Sequence, residues 1–365
     1  MERQPKTDKI LGMYWNSNND VLEFQFRFHK IPREVIDCKR PPTKRELLGL
    51  VMAIYDPFGL LANVTITTKL ILQATWKQPI DWDDPLPCEL ESRWIIWWKA
   101  FQDIKHFAVP RCISPIYTTA ESLELHVFVD ASDTAYAAVR MKKAQEVNVA
   151  FIAGKTRCAP KRESTVPRLE LQAAVLGSRL KTLVEECLDR TVNDVTFWSD
   201  SKMVLRWIRS RKRDFKQFVA SRISEVLSVT SSSQWRWIPS AINVADEATK
   251  LEASPKCQTD SRWIQGPDFL YDNDNTWPME PENLYSNPCA SEEHNKKIVL
   301  IIHNSDIIDI TKYSSFIKLQ RVVAWVLRFV NNLKSRLYTV VGLLSLTDKC
   351  PIVNKELVSC ALWVS

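Results

Sequence analysis

LELHVFVD, residues 123–130, alternates apolar and polar positions and stops on an acid. Leu123, Leu125, Val127 and Val129 fall at period two, the pattern of a strand with one face against a core. Beyond it, residues 135–142 and 147–154 read as two more strands of an antiparallel meander. A helix follows: Pro167 suits its first turn, and Leu169, Ala173, Leu176, Leu180 and Val184 recur at spacings of 4, 3, 4 and 4. Residues 195–198 read as a fourth strand, about 202–227 as one continuous helix, 234–238 as a fifth strand, and 245–250 as the start of a last helix. The order β-β-β-α-β-α-β-α describes an α/β unit on a mixed sheet.

Upstream, ILGMYW and VLEFQF flank the polar NSNND and read as a β-hairpin. Thr43 and Glu46 form a T-x-x-E capping box that opens a helix running to about residue 55. DPFG at 56–59 ends that helix; a second continues to about 76, and a third, 89–107, carries Trp94, Trp97, Trp98 and Phe101. The first 113 residues therefore read as a hairpin plus a small helical bundle, and 114–251 as the α/β unit. Residues 252–297 are rich in Pro, Asn and Asp and read as a linker. In 298–365, residues 298–302 suggest a short strand and 313–337 an amphipathic basic helix.

Composition removes several classes of function. The 365 residues include only 7 glycines. The Rossmann fingerprint, the P-loop and the nucleophile elbow all use glycine where backbone must turn tightly or touch a ligand, and none is present. Asp130-Ala131-Ser132 lacks the glycine of an aspartic-protease loop. The 9 cysteines form no CxxC pair and no zinc spacing, which suits a reduced intracellular protein. The N-terminus has no apolar signal region, and the longest apolar run, 47–55, is too short for a membrane span. The expected location is the cytoplasm, with the nucleus as a second compartment.

Charge is concentrated. Between residues 201 and 222, eight bases face one acid, and between 140 and 168 eight bases face two; the whole chain carries only +6. Interleaved Trp207, Phe215 and Phe218 favour a polyanion as partner over a merely solvated face. Lys202, Arg206, Arg209, Arg211, Lys212, Arg213 and Lys216 are the expected nucleic-acid contacts.

Four acids sit at element ends: Asp130 closes the first strand, Glu170 lies in the first helical turn, Asp200 stands where strand meets helix, and Asp246 opens the last helix. Singly, each has an ordinary structural explanation as helix cap, dipole partner or turn residue. Brought together at one sheet edge, they would repel unless a cation joined them. Mg²⁺ takes carboxylate and phosphate oxygens, so paired ions and phosphodiester hydrolysis are the matching chemistry.

FVDAS (128–132), STVPRLELQAAVLGSRL (164–180), WSDSKMVLRWI (198–208) and NVADEATK (243–250) resemble the ribonuclease H region of BEL/Pao-type retrotransposon polyproteins. The resemblance implies a ribonuclease H-like mixed five-stranded sheet with helices. It also implies two Mg²⁺ ions, with Mn²⁺ as a substitute, bound by Asp130, Glu170, Asp200 and Asp246, and cleavage of the RNA strand of RNA–DNA hybrids. KILGMYWN and the stretch 42–76 look like the end of the palm and the thumb of the same polyprotein's reverse transcriptase. DSRWIQGPDFL (260–270) and residues 313–332 look like its pre-integrase linker. Other polyprotein parts are thus expected partners. Two departures stand out: there is no Y-x-D-D polymerase motif, and the loop 239–245 lacks the histidine that many ribonucleases H place before the final aspartate. A catalytically silent nucleic-acid-binding or structural remnant is the alternative expectation. The five histidines, His29, His106, His126, His294 and His303, are expected to be structural or exposed.

Overall fold

The computed structural model describes residues 7–10, 13–104, 107–131, 134–143, 146–160, 164–210, 215–248, 259–281 and 314–340. Strands β1 (Thr7–Ile10), β2 (Met13–Asn16) and β3 (Val21–Glu23) pair antiparallel in chain order. Helices α1 (Arg33–Ile36), α2 (Lys44–Ala53), α3 (Ala62–Thr75) and α4 (Cys88–Asp103) follow, and β4 (Ala108–Pro110) then returns to pair with β3. The expected hairpin is therefore part of a four-stranded sheet. ILGMYW is split between two strands, with Ile10 opposite Met13. β3 stops at Glu23 rather than Phe26 because its partner runs out: Ala108 faces Glu23, and Phe107 belongs to the turn that closes on the Ile104 carbonyl. Phe24, Phe26 and Phe28 keep the alternation without a ladder, stacking in a row 5.9 and 6.3 Å apart and against Phe101 and Trp98.

The capping box forms as expected. The Glu46 amide donates to Thr43 Oγ1 at 3.2 Å, and the Thr43 amide donates to Glu46 Oε2 at 2.8 Å. The break at DPFG also has a cause: the Asp56 carboxylate accepts from the amides of Gly59, Leu60 and Leu61 at 2.9, 3.0 and 2.7 Å, which fixes the turn leading into α3.

Strands β5 (Ser122–Asp130), β6 (Thr134–Lys143) and β7 (Glu146–Thr156) form the meander. Helix α5 (Val166–Cys187) crosses over so that β8 (Asp194–Ser199) lies parallel to β5. After α6 (Lys202–Arg209) and α7 (Gln217–Val229), β9 (Trp235–Trp237) adds parallel to β8. The order β7-β6-β5-β8-β9 is a mixed five-stranded sheet with helices, the ribonuclease H-like class expected from the sequence. Leu123, Leu125, Val127 and Val129 turn to one core with Leu171, Leu176, Leu180, Ile223 and Val226 of the helices.

Two helices differ from expectation. The single helix over 202–227 is two, because the chain is extended at Ser210 and again at Lys216. Trp207 and Phe215 meet edge to face at 6.4 Å across the break, and like charges crowded on one continuous helix would repel. The last helix is instead a 3₁₀ turn, Val244–Ala248. Asn243 Oδ1 takes the Ala245 amide at 3.2 Å and caps the start of that turn. Residues 249 and 250 lie outside the described residues.

The linker reading also needs correction for its described part, 259–281. Trp263 in α8 (Arg262–Gln265), Leu270 and Trp277 are buried with Phe128 and Trp198 on the sheet face opposite α5. Arg140, 1% exposed, holds this strap: it donates to the Leu270 and Asp272 carbonyls at 2.6 and 2.7 Å and pairs with Glu124 and Asp274 at 2.9 and 2.8 Å. Polar composition hid three anchoring apolar side chains. Residues 297–365 separate as a second unit, in which α9 (Phe316–Val340) is amphipathic, with Leu319, Val322, Val323, Leu327 and Val330 its less exposed stripe. The strand suggested at 298–302 lies outside the described residues.

Candidate functional site

Asp130 is the last residue of β5 and 8% exposed. Its Oδ1 accepts from the Ala131 amide at 2.7 Å. Val129 pairs with Ser199 in the parallel ladder, so Asp130 and Asp200 are the next residues on neighbouring strands, which run about 4.8 Å apart. Asp200 is not a helix cap. That role belongs to Ser201, whose Oγ accepts from the Val204 amide at 3.2 Å and opens α6.

Glu170 lies in the second turn of α5 rather than the first. Gly177, two turns further along the same helix face, lets α5 approach β5: a Cβ there would stand 2.5 Å from Val129 Cγ1. This close approach brings Glu170 to the strand ends, where its Oε2 accepts a 2.5 Å hydrogen bond from Ser201 Oγ. Burial pushes the Glu170 carboxyl above its ordinary range; the Ser201 hydroxyl pulls it down, and the charge on Asp200 pushes it up again.

Asp246 sits inside the 3₁₀ turn and is 7% exposed. The turn is fastened by Asn243, which is fully buried and donates from Nδ2 to the Val129 carbonyl at 3.1 Å. Asp246 is thereby tied to the residue just before Asp130. Hard carboxylate oxygens are the donor type that Mg²⁺ takes. Among the described residues, no group of three or more His, Cys, Asp or Glu is already spaced as a ligand set.

Of the expected phosphate contacts, Lys202 is exposed, Arg206 and Lys216 are half-buried, and Arg211, Lys212 and Arg213 lie outside the described residues. Arg209 is committed within the fold: it donates to the Trp235 carbonyl and pairs with Glu280, Nη1 to Oε2 at 2.8 Å. Arg168 and Arg222 belong to the two basic stretches but were not singled out as contacts; their guanidinium carbons lie 5.3 and 4.8 Å from the Phe218 ring centroid. The signal available was the aromatic within the basic run. Ser201 and Asn243 were also missed, although each stands within three residues of an expected acid. His126, 1% exposed, accepts from Trp198 Nε1 at 3.2 Å, and burial pushes its pKa down, in keeping with a structural role.

The family described as Pao retrotransposon-like RNaseH-like domain matches residues 43–201, under half of the chain. The match holds Asp130, Glu170 and Asp200 and stops before the basic helices and Asp246. No curated protein matches the chain. Among solved structures, the N-terminal RNase H domain of Rv2228c from Mycobacterium tuberculosis, determined as a fusion with maltose-binding protein, is 14% identical. That alignment covers 35% of this chain and 94% of the other, with a TM-score of 0.22. RNase H1 from the halophilic archaeon Halobacterium salinarum is 12% identical over 34% of this chain and 97% of its own, also with a TM-score of 0.22. No described helix is long and apolar enough to cross a membrane.

Proposed function

We propose that the chain cuts the RNA strand of RNA–DNA hybrids endonucleolytically, as the ribonuclease H of a Pao-type retrotransposon polyprotein acting inside the cell. The observation that carries this reading is the parallel register of Val129 with Ser199, which sets Asp130 and Asp200 at adjacent strand ends. Glu170 and Asp246 are fastened to the same ends through Ser201 and Asn243. Asp130, Asp200 and Asp246 would hold one divalent cation, and Glu170 with Asp130 a second, with Mn²⁺ able to replace Mg²⁺. Such a pair supplies an activated water and charge stabilisation at the leaving oxygen.

The chain's own groups do the rest. Asp130 and Asp246 are nearly buried, so their carboxylates act where electrostatic interactions are stronger than in bulk water. Lys202, Arg206 and Lys216 grip phosphates, with Arg168 and Arg222 joining beside Phe218. Hybrid is chosen by groove shape and 2′-hydroxyl contacts. Residues 1–113 act as the end of a reverse transcriptase palm and its thumb, and 252–365 as the segment before an integrase.

Asp200→Asn tests the assignment. It should abolish Mg²⁺-dependent cleavage of a labelled hybrid while gel-shift binding persists; cleavage at the wild-type rate in this variant would sink it. A second reading, a module that binds nucleic acid without cutting, is favoured by the loop 239–245 having no histidine and by the lack of a ready ligand set among the described residues. Binding by the wild-type chain with no cleavage in Mg²⁺ or Mn²⁺ is the result that selects it.

A further inference from the structure

Two uncharged polar side chains, both almost without solvent contact, fasten the acid-bearing segments in pairs. Ser201 is 5% exposed and joins α5 to the β8–α6 joint that carries Asp200. Its hydroxyl has one proton. The Val204 amide can only donate, so that proton is left for Glu170. The Ser201 amide is held in turn by Ser199 Oγ at 3.2 Å, which fixes the joint itself. Asn243, with 0% exposure, joins the turn carrying Asp246 to the end of β5. Its amide orientation is set at both ends, Nδ2 toward the Val129 carbonyl and Oδ1 toward the Ala245 amide.

We infer that Ser201 and Asn243 are positioning residues of the proposed site, each holding two carboxylates at a set separation against their mutual repulsion, so that a divalent cation meets ligands already in place. The inference rests on the reading of those carboxylates as metal ligands. Left unfastened, like charges at neighbouring ends move apart, and the cation must bear the cost of gathering them. The work falls to neutral groups because another charge at either position would alter the net charge the cation meets.

The experiment uses the full chain with Mg²⁺ as the probe and two readouts: Mg²⁺-dependent cleavage of hybrid, and the rise in Tm that Mg²⁺ produces without nucleic acid. Ser201→Ala should raise the Mg²⁺ concentration for half-maximal cleavage by at least about tenfold and shrink the Mg²⁺-induced rise in Tm, with KM for hybrid unchanged. Ser201→Thr, which keeps the hydroxyl, should restore both. Ser201→Gly removes the hydroxyl at less cost to the helix start and should follow Ser201→Ala. Asn243→Ala should move both readouts the same way, with circular dichroism verifying the fold; the Ser201 variants decide alone if that chain unfolds. A wild-type Mg²⁺ requirement and Tm rise in Ser201→Ala and Ser201→Gly overturn the inference. A wild-type chain that Mg²⁺ stabilises but that does not cut removes the proposed activity and leaves the positioning role readable in Tm. A wild-type chain that does neither overturns both.

Discussion

Glu170 carries the electrostatic strain of the site in a single side chain, pushed up by burial, pulled down by Ser201 and pushed up again by Asp200. A carboxyl whose folded pKa is raised favours the fold at low pH and opposes it once both neighbours ionise. Without metal at neutral pH, Asp200→Asn relieves that opposition and should raise the Tm, even as it removes cleavage. A lower Tm than wild type would show that the two charges are not in opposition. Glu124, in β5, has the reverse sign. Burial pushes its carboxyl up, but His126, Lys142 and Arg140 beside it outweigh burial and bring it to about 2. Its contribution is therefore complete above the ordinary value of 4.5 and is lost as pH falls toward 2. Denaturant melts between these pH values should show a steep loss of stability that Glu124→Gln flattens. The four acids could be singled out in the sequence because each stands at or near the boundary of a patterned element, whereas Ser201 and Asn243 could not. A hydroxyl or amide at an element end reads as a cap, and only the three-dimensional arrangement shows that each binds a second segment.

Three segments far apart in sequence meet through glycine backbone. The Gly154 amide donates to the Phe58 carbonyl at 2.7 Å, and Trp263 Nε1 donates to the Gly59 carbonyl at 3.2 Å. Gly59 has φ +78°, and a Cβ there would stand 1.9 Å from the Gly154 carbonyl oxygen. Gly59→Ala combines left-handed strain with a backbone clash, so it should cost several kcal/mol, at or above the roughly 1–3 kcal/mol of an ordinary strained position. A Tm within a degree of wild type would contradict this close approach. Strands β5 to β9 and helix α5 were readable from periodicity, since each turns one face to a single core. The strap was not, because Trp263, Leu270 and Trp277 stand too far apart among Pro, Asn and Asp to form a period. The basic stretch misread for a related reason: its apolar positions continue through 202–227, but the chain turns at Ser210 and Lys216 so that α7 can pack on α5.

Across the whole molecule, the +6 net charge says less than where each base sits in the fold. Counting along the sequence treats Arg209 and Lys202 alike, but the fold separates them. Arg209 is drawn into the Trp235 carbonyl and Glu280 of the strap, while Lys202 stands exposed at the start of α6, two residues after Asp200. Each phosphate contact adds about one unit to the slope of log binding constant against log salt. Lys202→Ala should accordingly lower the magnitude of that slope by about 1 for an RNA–DNA hybrid. Arg209→Ala should differ: the slope stays at its wild-type value, while stability falls by about 1–3 kcal/mol because Glu280 and the Trp235 carbonyl lose their partner. Fluorescence anisotropy over a salt series, paired with thermal melts, reads both quantities on the same preparations. A slope that drops in the Arg209 variant would mean that its pairing with Glu280 opens for nucleic acid, and that the strap is then part of the binding surface rather than only the sheet's cover.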